Sequence, residues 1–318
     1  MMKHLGTRIR IQGWLFVILA GALLWPVDAG GDADLPVRNS EIPKILFLVE
    51  RNETMADNEW DVINNRSRWD VGMDAIIAAV NSAPTEMEFA VVGTSGPGNH
   101  WKPISSFDES NVALVNALGT EEASITYNYV ASSYAYALAE YFSLEDTDAD
   151  GWDRAPFRES CSTIDVIVIG DSMGGTEDDD PFSTPVPGSQ NYLNDDNPVH
   201  AADFFKTVQA EDEEYETLLD DVAFYAQTTD LSNAHEGDQT ARTHTILVDA
   251  NTVNDNDVEQ LYAATASAGG GLFVRATKPE DVGVGISMMM TDLIRSLTGI
   301  TSSFTSARIV CCRPAARI

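Results

Sequence analysis

Apolar residues in this chain follow two rhythms that alternate along its length. Short runs rich in β-branched residues, Ile45 to Val49, Met87 to Val92, Ile164 to Ile169, Thr243 to Val248 and Gly271 to Val274, read as strands. The run IDVIVI at Ile164 to Ile169 is nearly continuous, the pattern of a strand covered on both faces. Between the strands the spacing becomes helical. In Arg68 to Ser82, Trp69, Met73, Ile76, Ile77 and Val80 share one face while Asp70 and Asp74 lie outside it. Further helices are predicted over Asn111 to Leu118, from about Asn128 to Phe142, and over Glu214 to Gln227, Asp255 to Ala268 and Pro279 to Ser296, the last with proline in its first turn. Strands alternating with helices predict a doubly wound, mostly parallel α/β sheet flanked by helices, in a single domain over residues 42–299.

The two ends of the chain break this pattern. Lys3, Arg8 and Arg10 precede an apolar run, Trp14 to Trp25, and Val27-Asp28-Ala29 supplies small residues for cleavage. Residues 1–29 therefore read as a signal peptide, and residues 30–41 as a linker to the domain. The run is shorter than the roughly 20 residues a membrane helix needs, and no later segment is long and apolar enough to span. An uncleaved N-terminal anchor is the alternative. At the other end, residues 300–318 finish in RIVCCRPAARI, basic and without one acid, a composition foreign to the rest. It reads as the tail of a truncated or frame-shifted chain, with a small basic patch as the alternative.

Charge narrows the partners. Losing Lys3, Arg8, Arg10 and Asp28 with the leader shifts the formal charge from −31 to −33. Such a surface repels nucleic acid and anionic membrane, whose recognition depends on Lys and Arg neutralising phosphate. The three cysteines, Cys161, Cys311 and Cys312, have neither the number of a disulfide framework nor the spacing of a zinc site.

Candidate chemistry gathers where strands end. Glu50, Asn52 and Thr54 follow the first strand at every second position, and Asp171 follows IDVIVI. Ligands of open α/β sheets collect in the crevice beyond the carboxyl ends of the strands. With a threonine before the third helix, Thr126, these oxygens could form a hard-cation site for Mg²⁺ or Mn²⁺. Spacing alone favours loop-capping hydrogen bonds with no metal. Asp146, Asp148 and Asp150, followed by Gly151, match the opening half of a calcium loop, although Phe157 stands where the bidentate glutamate belongs. Gly170 to Gly174 fits the G-x-S-x-G elbow of serine hydrolases, which would make Ser172 a nucleophile. The residues after it do not suit a helix, and no histidine follows His244, so both tests count against a serine hydrolase.

The opening strand with its polar loop, the RWDVGMDAIIAAV helix and a strand ending in Gly-Asp resemble a von Willebrand factor type A domain. Ala155 to Asp180, Leu219 to Leu231 (LDDVAFYAQTTDL) and Ala268 to Arg275 (AGGGLFVR) resemble, more narrowly, the N-terminal part of the PilY family of type IV pilus tip adhesins and assembly factors. The resemblance implies an exported adhesion or pilus-biogenesis module, located in the periplasm, at the cell surface or on the pilus. Its partners would be pilus components or a host or extracellular surface protein. It also implies a large C-terminal propeller beginning where this chain stops. Type A domains carry a metal-ion-dependent adhesion site of the form D-x-S-x-S, completed by a threonine and an aspartate from two further loops. Carried over, Glu50 stands for the first aspartate, Asn52 and Thr54 for the serines, Thr126 for the threonine and Asp171 for the last aspartate. Every position keeps an oxygen, but Glu50 is one methylene longer, Asn52 has no hydroxyl, and Ser172 replaces a glycine. A structural type A domain without metal is the remaining alternative.

Overall fold

Every residue of β1 (Lys44–Val49) is buried, as KILFLV requires of a strand with helices on both sides. The computed structural model describes residues 42–56, 60–84, 87–94, 101–105, 107, 110–121, 123, 130–142, 163–172, 208–210, 213–215, 219–229, 231, 239–248 and 256–298. The leader, the 30–41 segment, Thr126, the Asp146, Asp148 and Asp150 loop and the 300–318 tail lie outside them. β1 is central in a sheet that also contains β2 (Glu88–Thr94), β3 (Trp101–Ser105), β4 (Thr163–Gly170), β7 (Thr240–Val248) and β8 (Gly270–Ala276), in the order β3-β2-β1-β4-β7-β8. All neighbours pair in parallel except β3, which runs antiparallel to β2 at the edge. β5 (Val208–Ala210) and β6 (Glu213–Tyr215) form a separate antiparallel pair.

Alternation along each strand sorts side chains into two cores. Ile45, Phe47 and Val49 meet α1 (Arg68–Ser82), α2 (Asn111–Leu118) and α6 (Pro279–Thr298). Leu46 and Leu48 meet α3 (Val130–Phe142), α4 (Leu219–Thr228) and α5 (Asn256–Ala268). Phe47 stacks on Phe89 across the β1–β2 pair with centroids 6.3 Å apart, adding aromatic contact to the area both rings bury. Helix α1 starts sharply because Ser67 and Asp70 form a capping box: Asp70 N–H donates to Ser67 Oγ at 3.0 Å, and Ser67 N–H to Asp70 Oδ2 at 3.1 Å. That cap places Arg68 as the first helical residue, facing the end of β1. Among the described residues, no helix is long and apolar enough to cross a membrane.

The doubly wound architecture and its principal strands are as the periodicity predicts. Three elements differ. β3 contains Pro103, which cannot donate to a ladder, so the pattern does not read as a strand; at a sheet edge, opposite Val92 and beside a register shift, proline is tolerated. The predicted helix over Glu214 to Gln227 begins only at Leu219. Glutamate favours helix, yet Glu213 to Tyr215 pair with Val208 to Ala210 instead, and pairing outweighs a propensity of a few tenths of a kcal/mol. β7 begins at Thr240 rather than Thr243, because Thr240 to Arg242 complete the ladder with β4.

Near the amino-terminal end of the sheet lies a buried ion network. Arg242 Nε and Nη2 each donate at 2.8 Å to Asp165, and Arg242 Nη1 donates at 2.8 Å to Asp292 of α6. His244 Nδ1 accepts from Leu272 N–H at 3.0 Å, which puts the ring proton on Nε2, 3.6 Å from Asp165 Oδ2. Burial works to raise the Asp165 pKa, but the ring N–H of His244 and the hydrogen-bonded, positively charged Arg242 outweigh it and hold the carboxyl below its ordinary value. Its contribution to stability is therefore present above the unfolded carboxylate pKa, about 3.9, and is lost as pH falls through the folded value. Replacing Arg242 by Met strands a buried carboxylate and is expected to cost about 3–5 kcal/mol in urea unfolding at pH 7. The gap between variant and wild type should narrow as pH falls, beginning above about pH 4 where the stranded acid, raised by burial, takes up a proton, and continuing until the wild-type carboxyl is protonated too. A gap that is constant down to pH 3 would contradict this assignment.

Candidate functional site

From β1 the sheet is built first toward β2 and β3, and then in the other direction through β4, β7 and β8. The crevice between the carboxyl ends of β1 and β4 is thus the topological switch point, the place where open α/β sheets hold their ligands. Glu50 leaves β1 and Asp171 leaves β4 at that crevice, tied by Glu50 N–H donating to Ile169 O at 2.8 Å. There Glu50, Asn52 and Thr54 meet Asp171, which lies more than a hundred residues further along the chain.

They converge as a hydrogen-bonded cluster. Glu50 has 0% exposure, and its carboxylate serves as an acceptor on both oxygens. Oε2 receives the backbone N–H groups of Asp171 at 2.7 Å and Ser172 at 3.1 Å, and the Tyr262 hydroxyl at 3.3 Å. Oε1 receives Asn52 Nδ2 at 2.8 Å and the Ser172 hydroxyl. Asp171 Oδ1 receives Asn52 Nδ2 at 2.9 Å and the Thr54 hydroxyl at 2.8 Å, and Oδ2 receives Arg68 Nη1 at 3.1 Å. Arg68 Nη1 also donates to Thr54 O at 2.8 Å, closing the loop onto the start of α1. Burial, together with the charges of Glu50 and Asp171 and the hydrogen bond to Glu50, raises the Tyr262 pKa well above its ordinary value, so the phenol remains a donor.

The orientation of Asn52 decides what this cluster can hold. Its Oδ1 accepts from Met55 N–H at 2.7 Å, so turning the amide over would set donor against donor. The nitrogen end therefore points between Glu50 and Asp171. A hard cation needs oxygen lone pairs directed at it. Here the amide offers N–H groups instead, and both carboxylates are turned toward donors. As arranged, the described residues do not fit Mg²⁺ or Mn²⁺. Among the described residues, no group of three or more His, Cys, Asp or Glu side chains is placed to hold a metal. Thr126 and the Asp146, Asp148 and Asp150 loop lie outside the described residues, so the calcium expectation and the threonine ligand are not addressed by this geometry.

Ser172 and His244 are not brought together. The Ser172 hydroxyl bonds to Glu50, whereas His244 lies opposite Ile167, five residues back along β4 and roughly 16 Å away. Three participants were not legible in the sequence. Arg68 belongs to the helix pattern, Tyr262 to the apolar face of α5, and Gly170 to a strand end. A Cβ at Gly170 would collide with the Glu50 carboxylate and the Tyr262 hydroxyl, so glycine is what lets the three segments close.

The strand order, the antiparallel edge and the two helical layers define a Rossmann-like, doubly wound α/β domain, the architecture implied by the resemblance to type A domains. No family model matches the chain, and no curated protein matches it. Among solved structures it is similar to the PilB minor pilin from Streptococcus sanguinis (12% identity, covering 84% of this chain and 64% of that one, TM-score 0.48). It is also similar to the conserved hypothetical protein BatB from Bacteroides thetaiotaomicron (10%, 80% and 99%, TM-score 0.47). A third is the von Willebrand factor type A structure from Catenulispora acidiphila (14%, 79% and 42%, TM-score 0.43).

Replacing Gly170 by Ala is expected to cost about 1–3 kcal/mol in urea unfolding, because neither neighbour is the free end of a flexible surface side chain. In a Tyr262→Phe background the cost should fall, since one of the two obstructing atoms is gone. Additive effects of the two substitutions would mean that these groups do not meet.

Proposed function

We propose that this chain is a type A binding module that engages a protein partner through the carboxyl edge of its sheet and performs no turnover. The supporting observation is that one connection, from Glu50 to Ser67, carries both the polar cluster at the switch point and an exposed apolar tip. Val62 and Ile63 are 78% and 94% exposed. They flank a cleft of ≈ 670 Å³ whose other walls include Trp60, Val71, Ala75 and Pro279. Apolar side chains held out beside a cleft are the ordinary anchors of protein association. Asp61, Asp74 and Glu280 line the same cleft, Asp74 paired with Arg66 and Glu280 with Lys278, in a chain of formal charge −31, so the fitting partner presents an apolar anchor with a Lys or Arg toward Asp61.

The finer reading is an exported module of type IV pilus biogenesis or surface adhesion, in the periplasm, at the cell surface or on the pilus. It rests on the PilY-like segments, above all LDDVAFYAQTTDL at Leu219 to Leu231, and on the leader-like residues 1–29. A divalent cation bridging to the partner belongs to the family pattern; the orientation of Asn52 favours binding without one at this cluster.

Purified type IV pilus fibres should bind the immobilised chain, and Val62→Asp with Ile63→Asp should weaken that binding at least about tenfold while leaving Tm unchanged. Absence of binding by the wild type at micromolar fibre would dismiss the pilus reading, and an unaffected double variant would dismiss the cleft. Ser172 should stay unlabelled by a fluorophosphonate probe in the folded protein; stoichiometric labelling would revive the hydrolase.

A further inference from the structure

We infer that Arg68, with the Asn52 amide, takes the place of a metal ion in holding this site together: the guanidinium lies on Asp171, and the amide nitrogen lies between Asp171 and Glu50. Glu50 and Asp171 bring two carboxylates into one crevice, with Glu50 fully buried and the Asp171 side chain 4% exposed. Two such groups repel, and burying either one costs several kcal/mol unless it is neutralised or well solvated by donors. Type A adhesion sites solve the problem with a divalent ion. Here the Arg68 side chain, 14% exposed, lies 3.1 Å from Asp171 Oδ2 and is anchored on Thr54 O. Asn52 Nδ2 reaches both carboxylates, at 2.8 Å and 2.9 Å, and is held in that sense by Met55 N–H on its oxygen. The backbone N–H groups of Asp171 and Ser172 and the Tyr262 hydroxyl complete the donor shell of Glu50.

The substitutions that depart from the adhesion motif thereby acquire a reason. A serine at position 52 would offer a hydroxyl oxygen to a metal, whereas asparagine offers two N–H groups to the acids. Glutamate at position 50 is long enough to reach under the turn at Asp171 and Ser172 and accept their N–H groups, a role that engages the oxygen an aspartate would direct at the ion. Arg68 supplies a permanent positive charge, since guanidinium does not deprotonate in proteins. The inference concerns how the site is held together and is independent of what the module binds.

The test compares thermal unfolding and Mn²⁺ binding, the latter by loss of the free-ion signal in electron paramagnetic resonance. Wild type and Asp171→Asn should bind the same amount of Mn²⁺, and any change of Tm between EDTA and millimolar Mn²⁺ at matched ionic strength should be the same in both. A site filled at about ten times its Kd would instead raise the wild-type Tm alone by roughly 3–5 °C. Arg68→Met should lower Tm by roughly 5–10 °C, and adding Asp171→Asn should recover at least half of that loss, because the stranded charge is gone. Should Arg68→Met prove too unstable to purify, the Arg68→Met/Asp171→Asn double variant carries the test by folding where the single does not. Mn²⁺ binding that disappears with Asp171→Asn, or effects of the two substitutions that simply add, would overturn the inference.

Discussion

One buried carboxylate organises the working end of this molecule. Glu50 has no exposure to water, and it accepts hydrogen bonds from two backbone N–H groups, an amide, a serine hydroxyl and a phenol. These donors come from the turn after β4, the loop after β1 and helix α5, so a single side chain joins three segments that the sheet topology brings only into proximity. Leaving such a group without donors would cost more than most single contacts contribute, and the segments have little freedom to drift apart. Gly170 belongs to the same constraint, since the carboxylate and the phenol occupy the space a side chain would need.

The sheet repeats this solution at its two ends. Near the amino-terminal end, Arg242 neutralises Asp165 with two parallel hydrogen bonds and reaches Asp292 with a third. At the carboxyl end, Arg68 neutralises Asp171 from the first turn of α1. In a chain with 50 acids and 19 basic residues, these two half-buried arginines are placed where acids cannot remain solvated. Arginine suits both positions because its charge is permanent and its planar fork holds several oxygens at fixed angles. Other acids, Glu53, Asp70, Asp74 and Glu280 among them, are exposed, where they favour solubility and a basic partner.

Much of the fold was legible in the pattern of apolar residues. β1, β4 and α1 lie where the runs and the helical spacing put them, because burial on one or both faces acts residue by residue along a regular element. The misread segments are those where strand pairing outweighed the preference of single residues: Pro103 in an edge strand and the acidic Glu213 to Tyr215 against Val208 to Ala210. The location of the cluster was legible too, since a polar residue at the end of a buried strand has only the crevice to enter. Arg68 and Tyr262 were not, because each sits inside an amphipathic helix whose pattern it satisfies without revealing that its polar end reaches a partner more than a hundred residues away.

The sequence by itself determined which segments are strands and helices, that the sheet is doubly wound, and that Glu50, Asn52, Thr54 and Asp171 share one edge of it. These follow from apolar periodicity and from the rule that ligands gather at carboxyl ends of strands. Only the tertiary structure decided the polarity of the site. Asparagine has an oxygen and a nitrogen at nearly the same place, and the sequence leaves either free to face the acids. Met55 N–H claims the oxygen, so the nitrogen turns inward, and a motif whose oxygens suggested a metal becomes a set of carboxylates already supplied with donors.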